Sequence, residues 1–533
     1  MSDEDINDWS PAKLRAAQDF YEKAAAAGDT DAMTQLGGIL AQSDPPDLPG
    51  ARNWWEKAAA AGDTEAMAQL GALLTQCTPP DLAGALAWLE KASVTGRADV
   101  MNSLGTLLAT WVNPPDLPAA RMWWERAAAN GDTDAMTKLG ILLATRWDPP
   151  DLPTARRWYE EAAVAGDTDA MVNLGVLLAK RWNPPDLGAA SSWYEKAAAT
   201  GRTDAMTNLG ILFAERQRPP DLPAARAWWA KASAVGDIDA MYRLGALLAW
   251  QWDPPEKSSA RKWLEQAATA GHAGAMNELG LLLAEWNPPD LSAARGWWER
   301  AAAAGHTGAM ANLGTLFANR SDPRDLPTAR TWWERAAADG HTGAMAALGA
   351  LLARAWPAEM PAARAWLEKA AAAGRTDAMA NLGVILATAE PPDLAGARVW
   401  LERAAAAGDS DAMNNLGNVL VRLNPPEVAG ARRLWETAAT AGNADAMANL
   451  SDLFARSDPP DPAAARAWLE KAAAAGNADA MTSMAETILR SDPSDVPAAW
   501  AWLQRAAAAG EPRAKSLLDG LANEANPDPE AKG

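Results

Sequence analysis

Cysteine is almost missing: Cys77 is the single thiol in 533 residues, so no intramolecular disulfide can form and the chain suits a reducing, cytoplasmic compartment. Histidine is nearly as scarce, with three residues, and no paired-cysteine metal motif or phosphate-cradling glycine loop occurs. Basic residues are in deficit: 48 Lys and Arg against 68 Asp and Glu leave a formal net charge of −20, which opposes binding to nucleic acid backbones. Long apolar runs are missing too. No stretch approaches the ~18 residues of a membrane span, and the acidic opening MSDEDINDWSPAKL holds no apolar core of secretory length. These absences point to a soluble chain with no cofactor, metal, membrane or nucleic acid partner.

What is present is repetition. A glycine closing an Ala-Ala-x-x-Gly run recurs every 34 or 35 residues, from Gly28, Gly62 and Gly96 to Gly476 and Gly510, and marks fifteen units. The unit that begins at Gly166 shows the logic. Ala170, Leu174, Leu177 and Leu178 recur at the one-face helical period, and so do Ala189, Trp193, Ala197 and Ala198 farther on. Gly166 ends one helix, Asp167 or Thr168 caps the next, Pro184 and Pro185 stop it, and Asp186 caps the second. Two amphipathic helices per unit follow. Such a pair cannot bury its stripe alone, so neighbours must stack.

Small residues, the Ala-Ala and the Leu-Gly dipeptide (Gly175 in this unit), mark the close approaches. Bulk comes from an aromatic pair such as Trp54 and Trp55 or Trp193 and Tyr194; side chains 100° apart on a helix cannot share one spot, so the second is expected in the core and the first over a flanking helix. The array is expected to span 11–521, opening with Ser10 as cap and Pro11 as first helical residue after a polar arm at 1–10. It closes with a helix over 512–521, where Lys515 replaces the methionine of the other units, before a disordered tail at 522–533.

The Leu-Gly of the first helix, the Ala-x-x-Trp-Tyr-x-x-Ala-Ala-x-x-Gly frame of the second, and Gly-His at three unit starts resemble the Sel-one-like repeat, a branch of the tetratricopeptide-repeat superfamily, over residues 11–521. The resemblance implies an all-α, right-handed α-α superhelical solenoid of about fifteen helix pairs whose first helices line a concave groove for extended peptides or a partner's helix. A diproline such as Pro114 and Pro115 stands where that family usually has a Gly-x-Gly turn.

By that resemblance the residue just before Leu-Gly faces the groove, namely Gln35, Gln69, Asn173, Asn208, Asn312, Asn381, Asn415 and Asn449. An amide can donate to and accept from one peptide group, so a ladder of them would hold an extended chain whatever its sequence; the plainer reading is a copied polar residue on a wet face. Lys138, Arg243, Arg422, Arg456 and Arg490 bring positive charge to an acidic framework, and the last three, from consecutive units, could receive a carboxylate or simply stay solvated.

Candidates for chemistry fall away. His272, His306 and His341 follow the repeat glycine in successive units, but repeats roughly 10 Å apart cannot bring them to one metal whose ligands lie about 2 Å away. Asp167 and Asp169 read as a cap and a dipole partner. Trp111, Trp147, Trp182, Trp252, Trp286 and Trp356 precede the linker prolines, either stacking on the turn or forming an aromatic rim. The reading is a non-catalytic scaffold or adaptor for protein or peptide partners. The alternatives are a small-molecule or glycan binder using the rim, and an acidic rod or DNA mimic.

Overall fold

The computed structural model describes residues 11–320, 325–355, 357–491 and 494–525. Within them every regular element is helical, and no helix is long and apolar enough to cross a membrane. The chain divides into two compact units, Met1–His272 and Ala273–Gly533. The first runs from helix Pro11–Ala26 to Lys257–Thr269 and the second from Ala273–Ala284 to Pro512–Ala525. Inside each, a helix packs on the next and helix pairs stack in register, which makes each a solenoid of tandem pairs.

The repeat that begins at Gly166 shows the local chemistry. Gly166 sits at φ 99°, and the amides of Gly166 and Asp167 donate to Ala163 O and Ala162 O at 3.1 and 3.0 Å, a Schellman closure. Asp167 then accepts from Ala170 N at 2.8 Å, and Asp186 caps the second helix by accepting from Ala189 N at 3.0 Å. The linker amide of Asp186 donates back to Leu178 O at 3.0 Å, which pins the proline turn to the first helix.

The first helix buries the expected Ala170, Leu174, Leu177 and Leu178. In the second helix the buried stripe is Ala190, Tyr194, Ala197 and Ala198, so Ala189 and Trp193 lie one residue, about 100°, away from it. The aromatic pair divides as its geometry requires. Tyr194 is 1% exposed, whereas Trp193 is half-buried with Lys196 Nζ 3.8 Å above its ring. Gly175 exists for Tyr194: a Cβ there would lie 2.5 Å from the ring. Where tryptophan takes this place its indole N–H finds the previous helix, as Trp55 does at Thr34 O (3.1 Å) and Trp435 at Asn414 O (3.2 Å).

Five of the six 35-residue units differ from the 34-residue units at the end of the first helix. Leu142–Arg146, Leu177–Arg181, Leu212–Arg216, Leu247–Gln251 and Leu316–Arg320 are π turns, and all lie in 35-residue units. In these five the extra residue is absorbed as a bulge at the end of the first helix, whereas the unit from Gly96 to Gly131 ends its first helix Ala98–Thr110 without a π turn. At the C-terminal end helix Pro512–Ala525 continues past the boundary expected at 521, because no proline stops it before Pro527. Ser10, the arm at 1–10, Trp356 and residues 526–533 lie outside the described residues.

Candidate functional site

In each unit the first helices lie side by side, and the position before Leu-Gly falls on their outward surface without being uniform along it. Gln35 and Gln69 are exposed, and Gln69 donates to Glu65 at 2.8 Å. Asn173 and Asn208 are half-buried, and their side chains make no hydrogen bond among the described residues. Asn312 donates to Asn277 Oδ1 at 2.9 Å, and Asn449 donates to Asn414 Oδ1 and Asn418 Oδ1 at 2.8 and 3.0 Å. These two amides therefore join neighbouring repeats. Asn381 is exposed and Asn415 half-buried, each on the wall of a cavity.

The cations divide in a similar way. Lys138 bonds Asp134 (2.7 Å), Asn102 (3.0 Å) and Thr106 (3.1 Å), and Arg243 bonds Asp239 (2.8 Å) and Glu215 (3.2 Å), so both are tied into the framework. Arg422, Arg456 and Arg490 are exposed at the C-terminal ends of successive first helices, outside the cavity walls, where a cation offsets the helix dipole.

Two columns were not singled out in the sequence. One lies two residues before Leu-Gly, where Asn102, Asn277 and Asn414 are buried and receive bonds from the next repeat. The other lies directly after Leu-Gly and forms the groove floor. In the second unit it reads Leu281, Thr315, Ala350, Val384, Asn418, Asp452 and Glu486, and Thr315, Ala350, Val384, Asn418 and Asp452 among them line two hollows. Both columns are legible once the register is fixed on Leu-Gly.

A hollow of about 610 Å³ lies in the second unit over helices Thr307–Thr315, Thr342–Ala355 and Thr376–Thr388. Ala347, Ala350, Leu351, Val384 and Ile385 make its apolar floor, and Asn319, Arg354 and Asn381 its polar edge. Val384 is 38% exposed on this floor. Farther along, a second hollow of about 440 Å³ is lined by Asn415, Asn418, Asn449, Asp445, Asp452 and Asp479. Shape and chemistry therefore allow an extended chain to lie across the first helices with both apolar and polar contacts.

Most tryptophan faces are already covered. Arg121, Arg156 and Arg226 lie over Trp147, Trp182 and Trp252 at 5.0, 5.0 and 4.6 Å, so cations of the preceding repeat hold these rings, as cation–π contacts do. Trp286 is half-buried. Trp111 differs: it is 52% exposed and lines a polar cavity of about 390 Å³ with Asn102, Asp134 and Lys138.

The histidines have separate structural tasks. His306 and His341 accept from Ala309 N and Ala344 N through Nδ1 at 3.1 and 3.0 Å, replacing the aspartate cap of other units. His272 stacks on Tyr242 with centroids 4.5 Å apart. Burial, with the Arg375 charge beside it, pushes the His341 imidazole below its usual range. That favours the neutral ring its capping role needs.

Solenoids of helix pairs joined by a left-handed glycine place the chain among helical-repeat proteins. The Sel1 repeat profile matches at 10–29, 30–63, 64–93, 111–132, 133–167, 168–201, 203–237, 238–272, 273–306, 307–341, 344–374, 376–409, 444–477 and 478–511, and the chain belongs to the Sel1 repeat family. The unmatched stretches 94–110 and 410–443 fold as the others do, as helices Ala98–Thr110, Ser410–Leu420 and Val428–Thr440. Among solved structures, c5321, a protective antigen of uropathogenic Escherichia coli displaying an SLR fold, is 22% identical with a TM-score of 0.50, over 85% of this chain and 97% of that one. A Sel1 repeat protein from Oxalobacter formigenes is 25% identical, with a TM-score of 0.48, over 59% of this chain and 95% of that one. No curated protein sequence matches the chain.

Proposed function

We propose that the protein is a non-catalytic, cytoplasmic scaffold that binds partner proteins by laying a peptide segment of the partner along the first helices. The observation that carries this is the apolar floor of Ala350, Val384 and Ile385 left open beside Asn381, whose amide has no internal partner among the described residues. Apolar area drives association, and amides then fix the backbone. The net charge of −20 supports proteins over nucleic acids as partners.

The test compares the full chain with its Ala350→Arg variant as baits in lysate of the source cell. Ala350 is half-buried on the cavity wall, so the arginine fills the groove and leaves the core alone. The expected result is a stoichiometric prey retained by the parent and lost by the variant; a prey held equally by both places binding elsewhere, and no prey at low or moderate salt contradicts the scaffold reading. The small-molecule or glycan reading has one support, the open face of Trp111. Quenching of tryptophan fluorescence by a sugar, abolished in Trp111→Ala, would favour it.

A further inference from the structure

From helix Thr342–Ala355 to helix Ala444–Ala455 the groove floor of the second unit changes chemistry in one direction. Directly after Leu-Gly or its equivalent, successive first helices present Ala350, Val384, Asn418 and Asp452, an order of small apolar, apolar, amide and acid. Asp479 adds a second carboxylate to the polar hollow, and both Asp452 and Asp479 are exposed and form no ion pair among the described residues. Asp445 instead accepts from Asn477 at 2.7 Å, and Glu486, next in the column, is taken by Arg513 at 2.6 Å. Negative charge free to meet a ligand is thus concentrated at one end.

We infer that this groove selects a polarised segment, one with bulky apolar side chains for the hollow at Val384 and a lysine or arginine for Asp452 and Asp479. The inference rests on the scaffold reading above. Val384 and Asp452 stand two first helices apart, roughly 20 Å at ordinary helix spacing, and an extended chain covers that in about six residues. Apolar and basic side chains about six residues apart are therefore the recognised pattern. Complementary charge at one end fixes the direction of the bound chain and penalises the reverse order.

The experiment selects a displayed random dodecapeptide library on the full-length chain and measures recovered peptides by fluorescence anisotropy. The expected outcome is enrichment of apolar residues with Lys or Arg about six positions away. Binding should fall at least tenfold when those basic residues become Glu, and the Asp452→Lys, Asp479→Lys double variant should lose the preference. Both aspartates are exposed, and the peptide series on the unaltered chain stands even where the variant fails to fold. Enriched peptides that need apolar residues but are indifferent to the Lys-to-Glu change overturn the polarity and leave the scaffold reading standing. No enrichment over bare support contradicts both.

Discussion

Two adjacent glycines separate packing from propensity at the scale of the residue. A Cβ at Gly37 would run into the indole of Trp55, while one at Gly38 would meet nothing within 4 Å. Gly37→Ala is therefore expected to destabilise by about 1–3 kcal/mol through overpacking, and Gly38→Ala to stabilise by up to about 1 kcal/mol through helix propensity. Urea unfolding of both variants checks the opposite signs. His341 supplies a second residue-scale prediction. Its cap needs a neutral imidazole, and its folded pKa lies below the ordinary 6.5, so between the two values the unfolded chain binds more protons. Its contribution is fully present above pH ~6.5 and is lost as pH falls through the folded value. His341→Asn, which keeps a cap, should remove that part of the stability loss, a cap's worth of about 1 kcal/mol, when melting is compared at pH 7.5 and pH 5. The capping aspartates and the Leu-Gly register were legible in the sequence because both depend on residues a few positions apart. The engagement of Asn312 and Asn449 with Asn277 and Asn414 was not, because it depends on what stands one repeat earlier across a helix interface.

The interest at the scale of the element lies in how one extra residue is accommodated. In the unit at Gly166 the π turn Leu177–Arg181 carries it, with Trp182 N donating to Leu177 O at 2.9 Å. The 34-residue unit at Gly271 ends its first helix without a π turn, reading Leu-Ala-Glu-Trp-Asn-Pro-Pro. Deleting the exposed Arg181 converts Leu-Ala-Lys-Arg-Trp-Asn-Pro-Pro to the same pattern, and the stability change should stay within about 1 kcal/mol, since surface changes away from buried features are small. Thermal unfolding of the deletion variant measures it; a loss of several kcal/mol would show that the bulge is needed where it occurs. Linker caps show a related exchange. Where the cap is Glu256 or Glu427 in place of Asp, its side chain makes no cap bond and pairs with Arg226 or Arg398 of the preceding repeat at 2.7 and 2.6 Å. Helix positions were legible from the period of the apolar residues. The second-helix stripe is displaced by one residue because Ala189 and Ala190 are chemically alike and only the docking of Tyr194 against Gly175 separates them.

Across the whole molecule repetition stabilises each compact unit by neighbour contacts and leaves surfaces on which the repeats differ. The identical parts, Gly turns, Ala-Ala pairs and Leu-Gly contacts, hold the fold. The variable parts lie on the first helices, where an apolar floor at Ala350 and Val384 gives way to carboxylates at Asp452 and Asp479. The class of fold was legible in fifteen spaced glycines. The hollows over the groove floor were not, because they depend on how successive first helices pack and not on the order of residues within one helix. The central claim, that partners lie on the first helices, is tested most directly by placing a photo-crosslinking amino acid at Val384 in the groove and, separately, at Val399, 47% exposed on the neighbouring second helix. Irradiation in lysate of the source cell should yield a defined protein adduct from position 384 and none from 399; an adduct from 399 with none from 384 would contradict the account.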